Sequence, residues 1–175
     1  MNNFNKVWWS GSTVVDQQIK DTFTETLKLA EAGHLDDWNE EPKGMLALII
    51  VFDQFSRHIY RGKKEAFLND SKALEISLKL QKLPEFIYFA KDEKFFTLMP
   101  CEHSEDLSTI KLALKGFEEA GFSTKDCQNH FDIIKQFGRY PHRNKILGRK
   151  STKEEEDWIN WNNKTKTYNF AIIPP

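Results

Sequence analysis

Three short stretches of this chain gather guanidinium forks, imidazoles and carboxylates. The first, DQFSRHIYRG, spans residues 53–62, the second is HSED at 103–106, and the third, FGRYPHRNKILGR, spans 137–149. In the third, Arg139, Arg143 and Arg149 stand with His142 and Asn144 around Pro141, bounded by Gly138 and Gly148. Arginine cannot shed its proton, so an ordered loop dense in guanidinium groups requires carboxylates, carbonyls or a bound anion. Asp53, Glu105 and Asp106 in the other two stretches are the acidic groups available to it.

Two kinds of chemistry fit this set. Arg57, Arg139 and Arg143, with Arg61, Asn144 and Arg149 as further ligand-binding candidates, suit a small carboxylate or phosphate, because a guanidinium grips such anions with paired hydrogen bonds. His103, His142, Asp53 and Glu105 are the catalytic candidates, since a histidine set against a carboxylate is the usual general-base arrangement. The bland alternative is a structural ion-pair network that locks loop to helix. A metal site from His103, His142 and Asp53 would have a known ligand set, but no two ligands are closely spaced. No metal or cofactor is assigned, and no serine-hydrolase elbow, phosphate loop, dinucleotide fingerprint or zincin motif occurs.

Each stretch also has a plain local reading. Asp53 and Arg57 are helical i,i+4 neighbours in the favourable acid-first order, so the first stretch reads equally as a helix emerging into solvent with one ion pair. Ser104 is a plausible N-cap, with Glu105 and Asp106 in the first turn. His130 reads as a core histidine holding a loop carbonyl, His34 as exposed, and His58 receives no role.

Helices must position these residues. Val15, Ile19, Phe23, Leu27 and Ala30 repeat at the helical period, and Gly33 closes that helix. Pro42 opens a second helix through Met45, Leu48, Phe52, Phe55 and Ile59 to Gly62. The spacing predicts further helices over Asn69–Lys82, over Asp92–Met99 (interrupted by Pro100), through Leu107–Phe117, over Ser123–Phe137, and from Ser151-Thr152 onward. In the last, Thr152 and Glu155 have capping-box spacing. The core should include Ile19, Phe23, Leu48, Ile49, Phe52, Phe55, Leu98, Ile110, Leu114, Phe117, Ile134 and Phe137. No segment alternates with period two, so no sheet is expected. The result is an all-α, antiparallel array of about seven helices, a single domain over residues 1–161, with a C-terminal tail from 162 to 175.

The motifs DQFSRHIYRG, HSED and FGRYPHRNKILGR, with AEAGHLDDW upstream, closely resemble the bacterial domain-of-unknown-function family 924 across roughly residues 8 to 158. The chain departs from that family's pattern at His58, where the family has asparagine, and in its compressed opening, Val7-Trp8-Trp9. The resemblance implies a fold similar to tetratricopeptide-like helical arrays, and with it a peptide or protein as an alternative partner. It implies no agreed activity.

Composition sets the outer bounds. The chain has 175 residues, enough to bury roughly 70% of the surface of its unfolded form. Its 25 basic and 26 acidic residues nearly cancel, which removes any whole-molecule attraction to nucleic acid or an anionic membrane. Met1–Ser10 lacks the apolar run of a signal peptide, and Met45–Phe52 is too short to span a bilayer. Cys101 and Cys127 form no CxxC pair and read as free thiols of a cytoplasmic protein.

Overall fold

The computed structural model describes residues 12–165, so the Met1–Ser10 reading and the Trp8-Trp9 opening lie outside the described residues. Among the described residues every regular element is helical. Helix α1 (Thr13–Glu31) turns Ile19, Leu27 and Ala30 inward. The chain then crosses a 3-10 turn, Asp36–Glu40, into the central rod. Gly44 permits that crossing, because a Cβ there would lie 2.1 Å from the Trp38 carbonyl oxygen.

The rod has three parts that follow without a break: α2 (Pro42–Ile49), a π-helical segment (Ile50–Phe55) and α3 (Ser56–Ile59). Pro42 sits in its first turn, where a missing N–H leaves no bond unmade. The Ser56 N–H donates to the Val51 carbonyl five residues back, which is the π register. Every residue from Val51 to Ile59 is buried. The first polar stretch therefore does not emerge into solvent with one ion pair; α1, α4 (Asp70–Leu80) and α5 (Lys91–Glu102) pack against the rod.

After α5 come α6 (Leu107–Glu119), α7 (Lys125–Phe137) and α8 (Lys153–Thr165), which runs past residue 161. Counting the rod once gives seven helices among the described residues. From α4 to α7 each helix packs on the next, and the short links between them reverse the chain direction. Pro100, expected to interrupt the fourth helix, lies inside α5 instead. Its ring removes the backbone bond to the Phe96 carbonyl, a cost that the packing of α5 against α4, the rod and α6 outweighs.

Two apolar clusters share α5. Phe96 belongs to the cluster around α1 and the rod, whereas Leu98, Met99 and Cys101 belong to that of α6 and α7; Phe95 packs on both. Of the expected core, Ile19, Leu48, Ile49, Phe52, Phe55, Leu98, Ile110, Phe117 and Ile134 are buried. Phe23, Leu114 and Phe137 are only half-buried: they lie on the outer helices and flank the clusters, Phe23 stacking on Phe55 at 4.2 Å and Phe137 edge-on to Trp158 at 5.7 Å. Cys101 and Cys127 are buried and unbridged. No described helix is long and apolar enough to cross a membrane.

Phe52 lies in the middle of the rod at 4% exposure. Phe52→Ala should cost on the order of 3–5 kcal/mol as a buried-aromatic cavity, measured by urea unfolding. A near-neutral result would show that the rod is not central to stability.

Candidate functional site

Asp53 is the hub of the buried polar cluster. Its Oδ1 accepts from His103 Nδ1 at 2.7 Å and lies 3.1 Å from Arg57 Nη1, while its Oδ2 accepts from the Gln54 side-chain amide. Burial by itself would raise the Asp53 pKa, but the Arg57 guanidinium and His103 override it and hold the carboxyl far below the usual range. An ionised carboxylate only accepts, so His103 carries its ring proton on Nδ1 and presents the Nε2 lone pair. Burial, opposed by Asp53, pushes the His103 pKa down and keeps the ring neutral near pH 7.

Arg57, 2% exposed, extends the cluster to α4. It donates to the Asp53 carbonyl at 2.6 Å and to Asp70 Oδ2 at 3.1 Å, with Asp70 Oδ1 3.0 Å from Nη1. Asp70 in turn lies 3.5 Å from Arg143 Nη1. Arg143 comes from the third stretch, where Gly138, at a φ of +69°, ends α7 in the left-handed conformation and turns the chain into the loop. Its guanidinium stacks over Tyr140 at 4.4 Å and Phe67 at 5.0 Å.

The other expected anion-binding residues are held elsewhere by dedicated partners. Arg139 forks onto Glu155 at 2.6 and 2.8 Å and reaches the Lys150 carbonyl at 3.0 Å. Glu155 also completes the capping box with Thr152 at the start of α8, so one carboxylate fixes both helix and loop. Arg149 forks onto Glu105 at 2.6 and 3.0 Å and also binds the Tyr140 carbonyl and Asn144. Asn144 donates on to Ser151. Arg61 forks onto Asp16 of α1, whose Oδ1 it reaches at 2.6 Å.

Three local expectations are corrected. Asp106, not Ser104, is the N-cap of α6: it accepts the Thr109 N–H at 2.8 Å, and this task keeps it away from the arginines. His130 binds the Glu102 carboxylate at 2.7 Å rather than a loop carbonyl, because buried Glu102 needs a partner more than a carbonyl does. His58, left without a role, is buried against Asp16 at 2.8 Å.

Asp70, Tyr140 and Gln54 join the cluster without having been singled out. Asp70 reads in sequence as an ordinary first-turn acid, and no local signal marks its reach to two arginines. Tyr140 donates from its hydroxyl to the Glu102 carbonyl at 2.6 Å, and its N–H donates to Glu105 at 2.8 Å. His142 lies against the Tyr140 ring at 5.4 Å; burial, with the charges of Arg143, His130, Arg149 and His103, holds its pKa well below the usual histidine value. Among the described residues no three His, Cys, Asp or Glu side chains are grouped to hold a metal ion.

Comparison with known proteins gives two matches. The model of a bacterial protein family of unknown function, DUF924, matches residues 1–163. The solved structure of a protein of unknown function from Agrobacterium tumefaciens is similar, with a TM-score of 0.82 and 28% identity over 88% of each chain. No curated protein matches this chain.

Burial depresses the pKa of His58, His103 and His142, so their unfolded forms take up protons first. The stability they contribute is present above pH ~6.5 and is lost as pH falls through the folded values, at about 1.4 kcal/mol per pH unit for each histidine inside that window. The carboxylates Asp53, Glu102 and Glu105, also depressed, add their loss only below the ordinary carboxylate range. Urea titrations should therefore give lower stability at pH 5.5 than at pH 7.5, and His142→Gln should flatten the difference. Equal stability at the two pH values would contradict buried, neutral histidines.

Proposed function

The chain belongs to the DUF924 family of bacterial proteins, and from that starting point we propose that its buried arginine cluster binds a small carboxylate or phosphate. The observation that carries this reading is the state of Arg143. It is 6% exposed, its one carboxylate contact is 3.5 Å long, and its Nε has no hydrogen-bond partner among the described residues. Burial, reinforced by the neighbouring Arg57 charge, pushes its pKa down despite Asp70. A buried guanidinium with an open donor is costly, and an anion is the partner that would satisfy it. The surroundings agree, since His142 and His103 flank the same region. The π segment that carries Asp53 and Gln54 supports the reading as well, because such segments concentrate at functional sites.

Arg61, Arg139 and Arg149 favour a second, structural role for the rest of the network, because each is occupied by a carboxylate fork. The tetratricopeptide-like reading would instead bring a peptide partner, for which Ile87 and Tyr88, exposed side by side on the turn Pro84–Tyr88, are available surface. The buried, unbridged cysteines fit a reducing compartment, and the cytoplasm is the proposed location.

A thermal-shift series with phosphate, acetate and succinate tests the anion reading. An anion at a hundred times its Kd should stabilise the protein by about 2.7 kcal/mol. Arg143→Gln should abolish that shift while leaving the unliganded stability nearly unchanged. If no anion shifts the wild-type protein and Arg143→Gln costs about 3–5 kcal/mol, the cluster is a saturated network and the proposal fails.

A further inference from the structure

We infer that the bound anion also carries a hydroxyl group, making it a small hydroxy acid, and that His103 and Gln54 select it. This rests on the anion reading at Arg143 and adds a second recognition element. The cluster around Asp53 and Arg57 leaves open positions of both kinds. On the donor side is Arg143 Nε. On the acceptor side are Asp70 Oδ1, in ion-pair contact with Arg57 but accepting no hydrogen bond, and Gln54 Oε1, in a residue 1% exposed and without a partner among the described residues.

The orientation of Gln54 is not arbitrary. Its amide nitrogen donates to Asp53 Oδ2, which leaves its oxygen as the open atom. His103 presents the other acceptor. Its Nδ1–H is committed to Asp53 Oδ1, and Nε2 has no partner among the described residues. The imidazole keeps 11% of its side-chain surface exposed, whereas Asp53 beneath it keeps 1%. Gln54 and His103 thus grip the two oxygens of one carboxylate, and Arg57 and Asp70 connect that carboxylate to Arg143.

A plain carboxylate or sulfate would satisfy only the guanidinium. Its oxygens also only accept, so the Gln54 and His103 acceptors would stay unfilled. A hydroxyl supplies the missing donor. An ammonium would too, but the fixed charges of Arg57, Arg143 and Arg149 bear on this region, and a further cation is disfavoured there. The hydroxyl is therefore the group that fits.

The test compares matched anions on the wild-type protein by calorimetry: acetate against glycolate, and succinate against malate, which differ by one hydroxyl at two ligand lengths. Glycine replaces the hydroxyl of glycolate with an ammonium. At least one hydroxy acid should bind about tenfold or more tighter than its partner, because a site built for a hydroxyl rejects the analogue that lacks one. Glycine should bind more weakly than glycolate. His103→Phe should bring the hydroxy acid down to the affinity of its partner, while His103→Gln, which restores an acceptor, should keep part of the preference. Equal affinities within both pairs overturn the hydroxyl inference and leave the Arg143 reading standing. Failure of all these anions to bind removes both.

Discussion

Arg57 carries a charge it cannot shed into a place that water does not reach. Moving a guanidinium out of water costs several kcal/mol even after the protein relaxes around it, so the fold must surround it with acceptors. The Asp53 carbonyl and Asp70 Oδ2 accept its hydrogen bonds, and Asp53 Oδ1 and Asp70 Oδ1 lie within ion-pair distance at 3.1 and 3.0 Å. Much else follows from this arrangement. Asp53 is kept ionised and so fixes the His103 tautomer; Asp70 is placed to meet Arg143; and the aromatic ring of Phe67 is left to face both guanidinium groups, at 5.7 and 5.0 Å.

Much of the helical framework was legible in the sequence because local physics determines it. Apolar spacing located α1, the rod and α6, while Thr152 and Glu155 marked the start of α8 by their capping geometry. The three polar stretches were legible as well, since guanidinium groups amid apolar helices demand an explanation. What stayed hidden depends on contacts far along the chain. Asp16 and Asp70 look like first-turn acids, and only packing shows that one takes Arg61 and the other takes Arg57 and Arg143. The π segment was hidden for another reason: Met45–Phe52 is apolar all round, so no stripe distinguishes a 3.6-residue turn from a wider one. Pro100 misled because tertiary packing on both sides of α5 outweighs the one backbone bond that its ring removes.

The arginines divide by how fully they are satisfied. Arg139 and Arg149 each have a carboxylate fork and a backbone carbonyl, and they tie the loop after α7 to α8 and to the segment before α6. Such pairs hold geometry, and the loop they hold contains Arg143. The loop is thus anchored at both ends by saturated guanidinium groups, with a poorly satisfied one between them. That is the distribution expected where a site trades stability for readiness to bind, because a donor already engaged would have to break a bond before taking a ligand.

The partners of the rod also set how the chain must assemble. Most helical proteins form from contacts close in sequence and fold fast for that reason. Here Asp53 waits for a histidine 50 residues later, and His58 waits for an aspartate 42 residues earlier. The middle of the rod therefore cannot be dried out by its neighbours alone. Until α1 and α5 both arrive, its charges keep their water, and a half-assembled rod gains little by packing early. Docking of distant helices, rather than growth of individual ones, is what completes the rod, and its polar centre closes only when α1 and α5 are both in place.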